Sequence, residues 1–85
     1  LTAHVDFAAL ATAADPCATA YTTQGDLLRA LGIDARADRL ARALTGPALD
    51  AHRAAHRRLT DPAEMGRLFK TLAVHAPGTP PPPGF

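Results

Sequence analysis

The chain has 85 residues, with nine basic and eight acidic side chains and a formal net charge of +1. A chain this short forms at most one small domain with a thin core. Its near-neutral charge argues against a nucleic-acid-binding module, which is normally strongly basic. One cysteine excludes an internal disulfide framework and most cysteine-based metal sites. No apolar run of about 18 residues is present, so no membrane-spanning segment is predicted.

The first predicted elements are a helix over Val5–Ala14 and a strand over Ala18–Thr23. Asp6 is a favourable N-cap for the helix. Asp15-Pro16 ends the helix, because proline disfavours helical backbone in the residue before it. The strand is favoured by three threonines and a tyrosine among its six residues.

Three helices are predicted next. Thr23 is expected to cap the second helix, and Gly32 suits the position just after its end. Asp34 is expected to cap a third helix that runs to about Leu44. Gly46-Pro47 then breaks the chain, and the proline suits the first turn of a fourth helix.

The last part of the chain predicts a short helix, a strand and a tail. Residues 61–64 (DPAE) combine an N-cap, a proline and a glutamate in the order of a helix start. Phe69–His75 is predicted to be the second strand, and residues 77–85 a proline-rich, extended tail. The pattern is α/β and rich in helix, but two short strands do not make a self-sufficient sheet. Because the chain also begins at Leu1 rather than methionine, we expect it to be the end of a larger doubly wound domain.

Three features could suggest chemistry but have simpler interpretations. His52 and His56 have the i, i+4 spacing of metal ligands, yet Arg53 stands where a metalloprotease helix needs glutamate. A basic, solvent-exposed helix face is the favoured interpretation, and no metal site is predicted. Cys17 has no base beside it, which favours an incidental thiol over a nucleophile. The three arginines of the third helix interleave with aspartates, so exposed ion pairs are expected there.

The start of the first helix offers a candidate substrate-facing cluster. Thr2, His4 and Asp6 lie there, and helix N-termini favour anions and hydrogen-bond acceptors. The alternative is that Asp6 is only a cap and His4 is only exposed. By contrast, no two glycines are separated by a single residue, so the Gly-x-Gly loop that binds nucleotide-like cofactors is missing from the chain.

Several short motifs together resemble one family. They are Leu1–Phe7 (LTAHVDF), Thr22–Leu28 (TTQGDLL) with Leu31–Ile33 (LGI), Leu59–Pro62 (LTDP) with Met65–Lys70 (MGRLFK), and Gly84–Phe85. In order and spacing, they resemble the C-terminal end of the MidA-type S-adenosylmethionine-dependent methyltransferases, over essentially the whole chain. Eukaryotic members are mitochondrial and methylate a protein arginine during complex I assembly, whereas a bacterial member would be cytoplasmic.

The resemblance implies that residues 1–76 are the C-terminal part of a Rossmann-like class I methyltransferase domain, with the two strands among the last of its sheet. The S-adenosylmethionine loop would lie upstream of Leu1, so this chain alone would bind no cofactor and be inactive. Its partners would be the rest of the same domain and a protein substrate. Thr2, His4 and Asp6 would face the substrate side of the cleft, although some relatives lack a histidine at the position of His4. Gln24 joins these candidates, because ligands gather at strand carboxyl ends.

A second hypothesis is a free-standing helical interaction module without catalysis. It would dock a partner through the leucine stripes of the second and third helices. An extended segment at Tyr21 and Leu72 distinguishes the hypotheses, since a self-contained helical bundle would have none. The sequence assigns no catalytic residue and does not identify the methyl acceptor.

Overall fold

The computed structural model describes residues 4–85, which form five helices and two strands. In chain order these are α1 (Phe7–Ala13), β1 (Ala18–Thr23), α2 (Gln24–Ala30), α3 (Ile33–Ala41), α4 (Gly46–Thr60), α5 (Met65–Leu68) and β2 (Lys70–His75). This mixture of helix and strand agrees with the predicted α/β class. None of the helices among these residues is both long enough and apolar enough to cross a membrane.

The two strands pair with each other in antiparallel orientation. Tyr21 lies opposite Leu72, in the middle of a register that runs from the Ala18–His75 pair to the Thr23–Lys70 pair. The predicted bounds of β1 are confirmed, and β2 begins one residue later than predicted. Among residues 4–85 the sheet has these two strands alone. Each strand therefore keeps one edge that no described strand covers.

Local capping signals fix several helix ends as predicted. The carboxylate of Asp6 accepts a hydrogen bond from the backbone N–H of Ala9 at 3.0 Å. The hydroxyl of Thr23 accepts one from the N–H of Asp26 at 3.3 Å. Pro47 lies in the first turn of α4, where its missing N–H costs nothing. These ends are predictable because each depends on contacts between residues three or fewer positions apart.

Asp34 does not cap α3, contrary to the sequence prediction. Gly32, at a left-handed φ of +95°, turns the chain directly from α2 into α3, and its carbonyl accepts from the N–H of Arg36. The Asp34 carboxylate instead lies 2.8 Å from Nε2 of His56 and 3.8 Å from Nε of Arg29. Asp34 is therefore a tertiary link, and α3 ends at Ala41 rather than near Leu44.

The prediction that Asp61 starts the last helix is also wrong. Helix α5 begins at Met65, and residues 62–64 form a turn. The side chain of Asp61 accepts from the N–H of Ala63 at 2.8 Å. The backbone carbonyl of Asp61 accepts hydrogen bonds from the N–H groups of Glu64 and Gly66 at 2.9 and 3.1 Å. Asp61 therefore organises a tight connection between α4 and α5.

The end of the proline-rich tail, residues 77–85, lies against α2. Gly84 has φ +93° and lies so close to α2 that a Cβ there would be 2.5 Å from Cδ1 of Leu27 and 3.4 Å from Cγ of Leu31. Only glycine combines this backbone conformation with this proximity.

Three residues meet where α2, α4 and α5 approach one another; we call Gly25, Thr60 and Gly66 the glycine junction. They are the only buried residues between positions 4 and 85. A Cβ at Gly25 would lie 2.7 Å from the Thr60 carbonyl oxygen and 3.1 Å from Cα of Gly66. The lack of side chains at the two glycines therefore permits backbone-to-backbone packing.

Apolar side chains remain accessible almost everywhere else. No apolar side chain larger than alanine is fully buried among residues 4–85, and several large ones are about half exposed or more. The accessible surface is 6246 Å², whereas a compact monomer of this mass exposes about 4800 Å². The radius of gyration is 16.0 Å, against about 12 Å for a compact domain of this length. The described residues therefore form an open arrangement without a buried apolar core.

Substitution of Gly25 by alanine tests the glycine junction. We expect Gly25→Ala to lower the free energy of unfolding by about 1–3 kcal/mol, because the added methyl overlaps the Thr60 carbonyl, which cannot move independently. Thermal and urea denaturation followed by circular dichroism measure this. The control is Gly78→Ala, at φ +79° with no atom within 4 Å of the added methyl, which adds backbone strain without overlap. A smaller loss for Gly25→Ala than for Gly78→Ala would contradict close packing at the junction.

Candidate functional site

A groove lies between the start of α1, the strand β1 and the connection from α5 to β2. Its volume is about 670 Å³, and its lining residues are His4, Val5, Phe7, Tyr21 and residues 68–70. We call it the aromatic groove. It is larger than three other hollows on the described surface, which measure about 300–400 Å³, and such concave features are the usual places where proteins bind ligands.

Each wall of the aromatic groove is positioned by a local device. The Asp6 cap starts α1 directly at Phe7, whose ring meets that of Tyr21 edge-on, with centroids 5.7 Å apart and planes at 71°. On the opposite wall, α5 ends at Leu68, and Phe69 is extended at the entry to β2. The carbonyl of Phe69 accepts a hydrogen bond from the N–H of Gln24 at 2.9 Å. This bond ties the second wall to the start of α2.

The aromatic groove combines apolar walls with positive charge. The Phe69 and Tyr21 side chains are 48% and 55% exposed, so their rings are available to a ligand. The Lys70 ammonium donates to the carbonyl oxygens of Arg67 and Leu68 and thereby stays at the end of α5. His4, on the other wall, is exposed. No carboxylate is among the described residues that line the groove.

A second apolar depression continues from the aromatic groove along the sheet. It measures about 400 Å³ and lies between α1 and the strands, lined by Phe7, Ala8, Ala11, Thr19, Tyr21 and Leu72. Phe7 and Tyr21 belong to both features. The two hollows therefore form one surface, long enough to contact more than a single side chain.

The predicted site residues have different fates in the structure. His4 lines the aromatic groove. Asp6 caps α1 and is not among the groove's lining residues. Gln24 faces elsewhere: its side-chain amide donates to the carbonyl of Leu59 at 2.9 Å and ties α2 to the end of α4. Thr2 lies outside the described residues.

The sequence prediction missed the aromatic and basic part of the groove. Tyr21, Phe69 and Lys70 were assigned only to strands or to a family motif. Phe69 and Lys70 are adjacent to each other but 48 or more positions from Tyr21, so only strand pairing brings them near it. The sequence signal that could have indicated the groove is the small number of aromatic residues. The chain has only four, and three of them line this groove.

His52 and His56 pack between α3 and α4 rather than facing solvent as the favoured interpretation stated. Nε2 of His52 lies 2.9 Å from the carbonyl oxygen of Ala37, and Nε2 of His56 lies 2.8 Å from the Asp34 carboxylate. Both Nε2 atoms therefore carry hydrogen and donate, which removes them as metal ligands. Within residues 4–85, no group of three histidine, cysteine or carboxylate side chains could hold a metal ion.

The remaining polar candidates are at the surface. Cys17 is exposed and unpaired by any disulfide. Arg36, Arg39 and Arg42 form no ion pair within 4.0 Å among the described residues, contrary to the expectation for α3. The α3–α4 cleft, of about 300 Å³, is lined by basic and polar groups and is smaller than the aromatic groove.

No family model, curated protein or solved structure matches this chain in sequence or structure comparisons. The resemblance to MidA-type methyltransferases therefore stays a prediction, and its support consists of the motifs and of where the fold places them.

Substitutions at Asp6 separate its capping role from a chemical role. Asp6→Asn keeps an N-cap acceptor, so we expect α1 and its contact with Tyr21 to persist; Asp6→Ala should cost about 1 kcal/mol. Tyr21 is the only tyrosine and the chain has no tryptophan, so intrinsic fluorescence reports directly on this contact. If Asp6→Asn changes Tyr21 fluorescence as much as Asp6→Ala does, capping is not the role of Asp6.

Gln24 is expected to behave as a structural residue. Gln24→Met retains the length of the side chain but leaves the Leu59 carbonyl without its partner, and we expect a loss of about 1–2 kcal/mol in unfolding free energy. The control Thr12→Ala removes an exposed hydrogen bond within α1 and should change stability by less than about 0.5 kcal/mol. Equal unfolding free energies of Gln24→Met and Thr12→Ala in urea denaturation would contradict a structural role for Gln24.

Proposed function

We propose that this chain is the C-terminal segment of a MidA-type S-adenosylmethionine-dependent methyltransferase. In this proposal the segment completes a Rossmann-like sheet and supplies the acceptor side of the active-site cleft. A protein side chain is the proposed acceptor, as in the eukaryotic relatives, and the rest of the domain is the first partner. The proposed compartment is the bacterial cytoplasm, or the mitochondrion for a eukaryotic member.

One observation carries this proposal: the motifs that resemble the family come together in space. The TTQGDLL, LTDP and MGRLFK motifs each supply one residue of the glycine junction. The LTAHVDF and MGRLFK motifs supply most of the aromatic groove. The last motif, Gly84–Phe85, places Gly84 against Leu27 and Leu31 of the second motif. Motifs separated by tens of residues thus meet in three contacts, which is expected when they jointly specify one fold.

The unfinished packing provides a second argument. A two-stranded sheet with half-exposed apolar side chains on both strands, Tyr21 and Val74, lacks the further strands that normally stabilise such a pair. The resemblance implies that β1 and β2 are among the last strands of a larger sheet, and an antiparallel pair is compatible with that position. Pairing with upstream strands of the same domain would cover the open edges of this pair.

The residues of this chain do not fit the cofactor. Gly25 and Gly66 are held in the glycine junction, and the other four glycines have positive φ values in separate turns. None forms a loop between a strand and a following helix that could approach a nucleotide. The contribution that we assign to this segment is therefore to bind residues of the protein substrate and in this way to orient the acceptor.

A free-standing interaction module remains the second candidate. The observation that favours it is the exposure of Leu31 and Leu40, at 57% and 46%, on α2 and α3. The strands at Tyr21 and Leu72 argue against a self-contained helical bundle. Sedimentation with circular dichroism distinguishes the two: a stable monomer with a cooperative thermal transition favours the module, and association or a broad transition favours an incomplete domain.

Calorimetric titration with S-adenosylmethionine tests the primary proposal. We expect residues 1–85 alone to give no binding heat, because they carry no cofactor loop. A longer protein that includes an upstream strand, a Gly-x-Gly turn and a helix should bind one equivalent and transfer the methyl group to a protein substrate. Stoichiometric binding by the 85-residue chain alone, or an upstream sequence without such a unit, would overturn the proposal.

A further inference from the structure

The geometry points to a specific ligand for the aromatic groove: a peptide segment in which a bulky aromatic side chain is followed by a carboxylate side chain. As a substrate site, this assignment rests on the proposed function. It adds that the groove does not hold the methyl acceptor itself but docks the acceptor's flanking residues. The physical requirements are an aromatic surface for the ring, a cation for the carboxylate and enough length for a peptide.

The apolar requirement is met by rings that face one cavity. Phe7, Tyr21 and Phe69 belong to three different elements, yet all line the groove. Phe7 and Tyr21 are already in an edge-to-face arrangement, and aromatic side chains favour such contacts with a further ring. The volume of about 670 Å³ lies within the usual range of ligand pockets, about 300–1,000 Å³.

The positive charge in the groove favours an acidic residue next to the aromatic residue of the peptide. Lys70 lines the groove, and its ammonium donates hydrogen bonds to the carbonyl oxygens of Arg67 and Leu68. An ammonium has three donors, so one hydrogen is left for a ligand carboxylate. Because no carboxylate lines the groove among residues 4–85, an arginine or lysine side chain of the substrate would meet positive charge and no negative partner.

The continuity of the surface favours a peptide over a small aromatic acid. Beyond Phe7 and Tyr21, the hollow extends into the apolar depression along α1, β1 and Leu72. A single amino acid would occupy only the aromatic groove and would not reach the apolar depression. A peptide would follow the surface through both hollows and bury more apolar area.

The test uses the 85-residue chain, with Tyr21 fluorescence as the binding signal and peptides that contain neither tyrosine nor tryptophan. The probe is the capped tetrapeptide Gly-Phe-Glu-Gly. We expect it to bind at least about tenfold more tightly than Gly-Ala-Glu-Gly, because an aromatic ring is buried. It should bind about two- to fivefold more tightly than Gly-Phe-Lys-Gly, the range for a partly exposed charge pair. The preference for the Glu peptide over the Lys peptide should decrease as salt is added, because salt screens the charge pair.

Variants at Lys70 identify the charge that is responsible. Lys70→Met should remove the preference for the Glu peptide over the Lys peptide, and Lys70→Arg should keep it. The matched control is Arg58→Met, which removes the same charge from an exposed position of α4 outside the groove and should leave the preference unchanged. A groove damaged by mutation would lose affinity for both peptides together, whereas loss of a specific charge changes their ratio.

The outcomes separate this inference from the proposed function. Peptide discrimination by the 85-residue chain supports the inference and requires neither cofactor nor methyl transfer. Two results would overturn the inference even if the longer protein proves to be a methyltransferase. One is equal affinity for the Glu and Lys peptides. The other is an affinity for free N-acetylphenylalanine equal to that for Gly-Phe-Glu-Gly. Conversely, the 85-residue chain could discriminate between the peptides while the longer protein fails to bind S-adenosylmethionine. That result would support the peptide-binding groove and contradict only the proposed methyltransferase function.

Discussion

The close approach of backbone at Gly25, Thr60 and Gly66 is the contact on which the arrangement of this chain depends. Because neither glycine carries a side chain, α2 can pass directly against the end of α4 and the start of α5. Two hydrogen bonds of Gln24, to the carbonyls of Leu59 and Phe69, secure the same region. The end of β1 and the beginning of β2 flank this junction, where Thr23 pairs with Lys70.

Backbone packing of this kind gives a defined geometry but little burial energy. Apolar burial contributes roughly 25 cal/mol for each Å² removed from water, and glycine has no side chain to bury. The large side chains that could supply that energy, such as Leu68 and Val74, are more than half exposed. Residues 4–85 thus have a defined arrangement without a buried apolar core to stabilise it.

Sequence reasoning succeeded where a structure depends on neighbouring residues. The bounds of β1, the Asp6 and Thr23 caps and the left-handed Gly32 all follow from short-range backbone and side-chain preferences. It failed at Asp34, where bonds to two distant side chains replaced the expected cap. It also left the aromatic groove unpredicted apart from His4, because adjacency of Phe7, Tyr21 and Phe69 exists only after the strands pair. Long-range pairing carries no local signature in a single sequence.

The two walls of the groove differ in how firmly they are held, and this difference affects binding. Residues 68–70 follow Gly66 by a few positions and are tied to Gln24, so the glycine junction fixes them. The opposite wall stands on a seven-residue helix, α1, which is joined to the sheet by the Phe7–Tyr21 ring contact and by packing on β2. A ligand ring placed between Phe7 and Phe69 would bridge the fixed wall and the weakly held wall. Ligand binding would therefore stabilise α1 against the sheet and supply the side-chain burial that this part of the fold lacks.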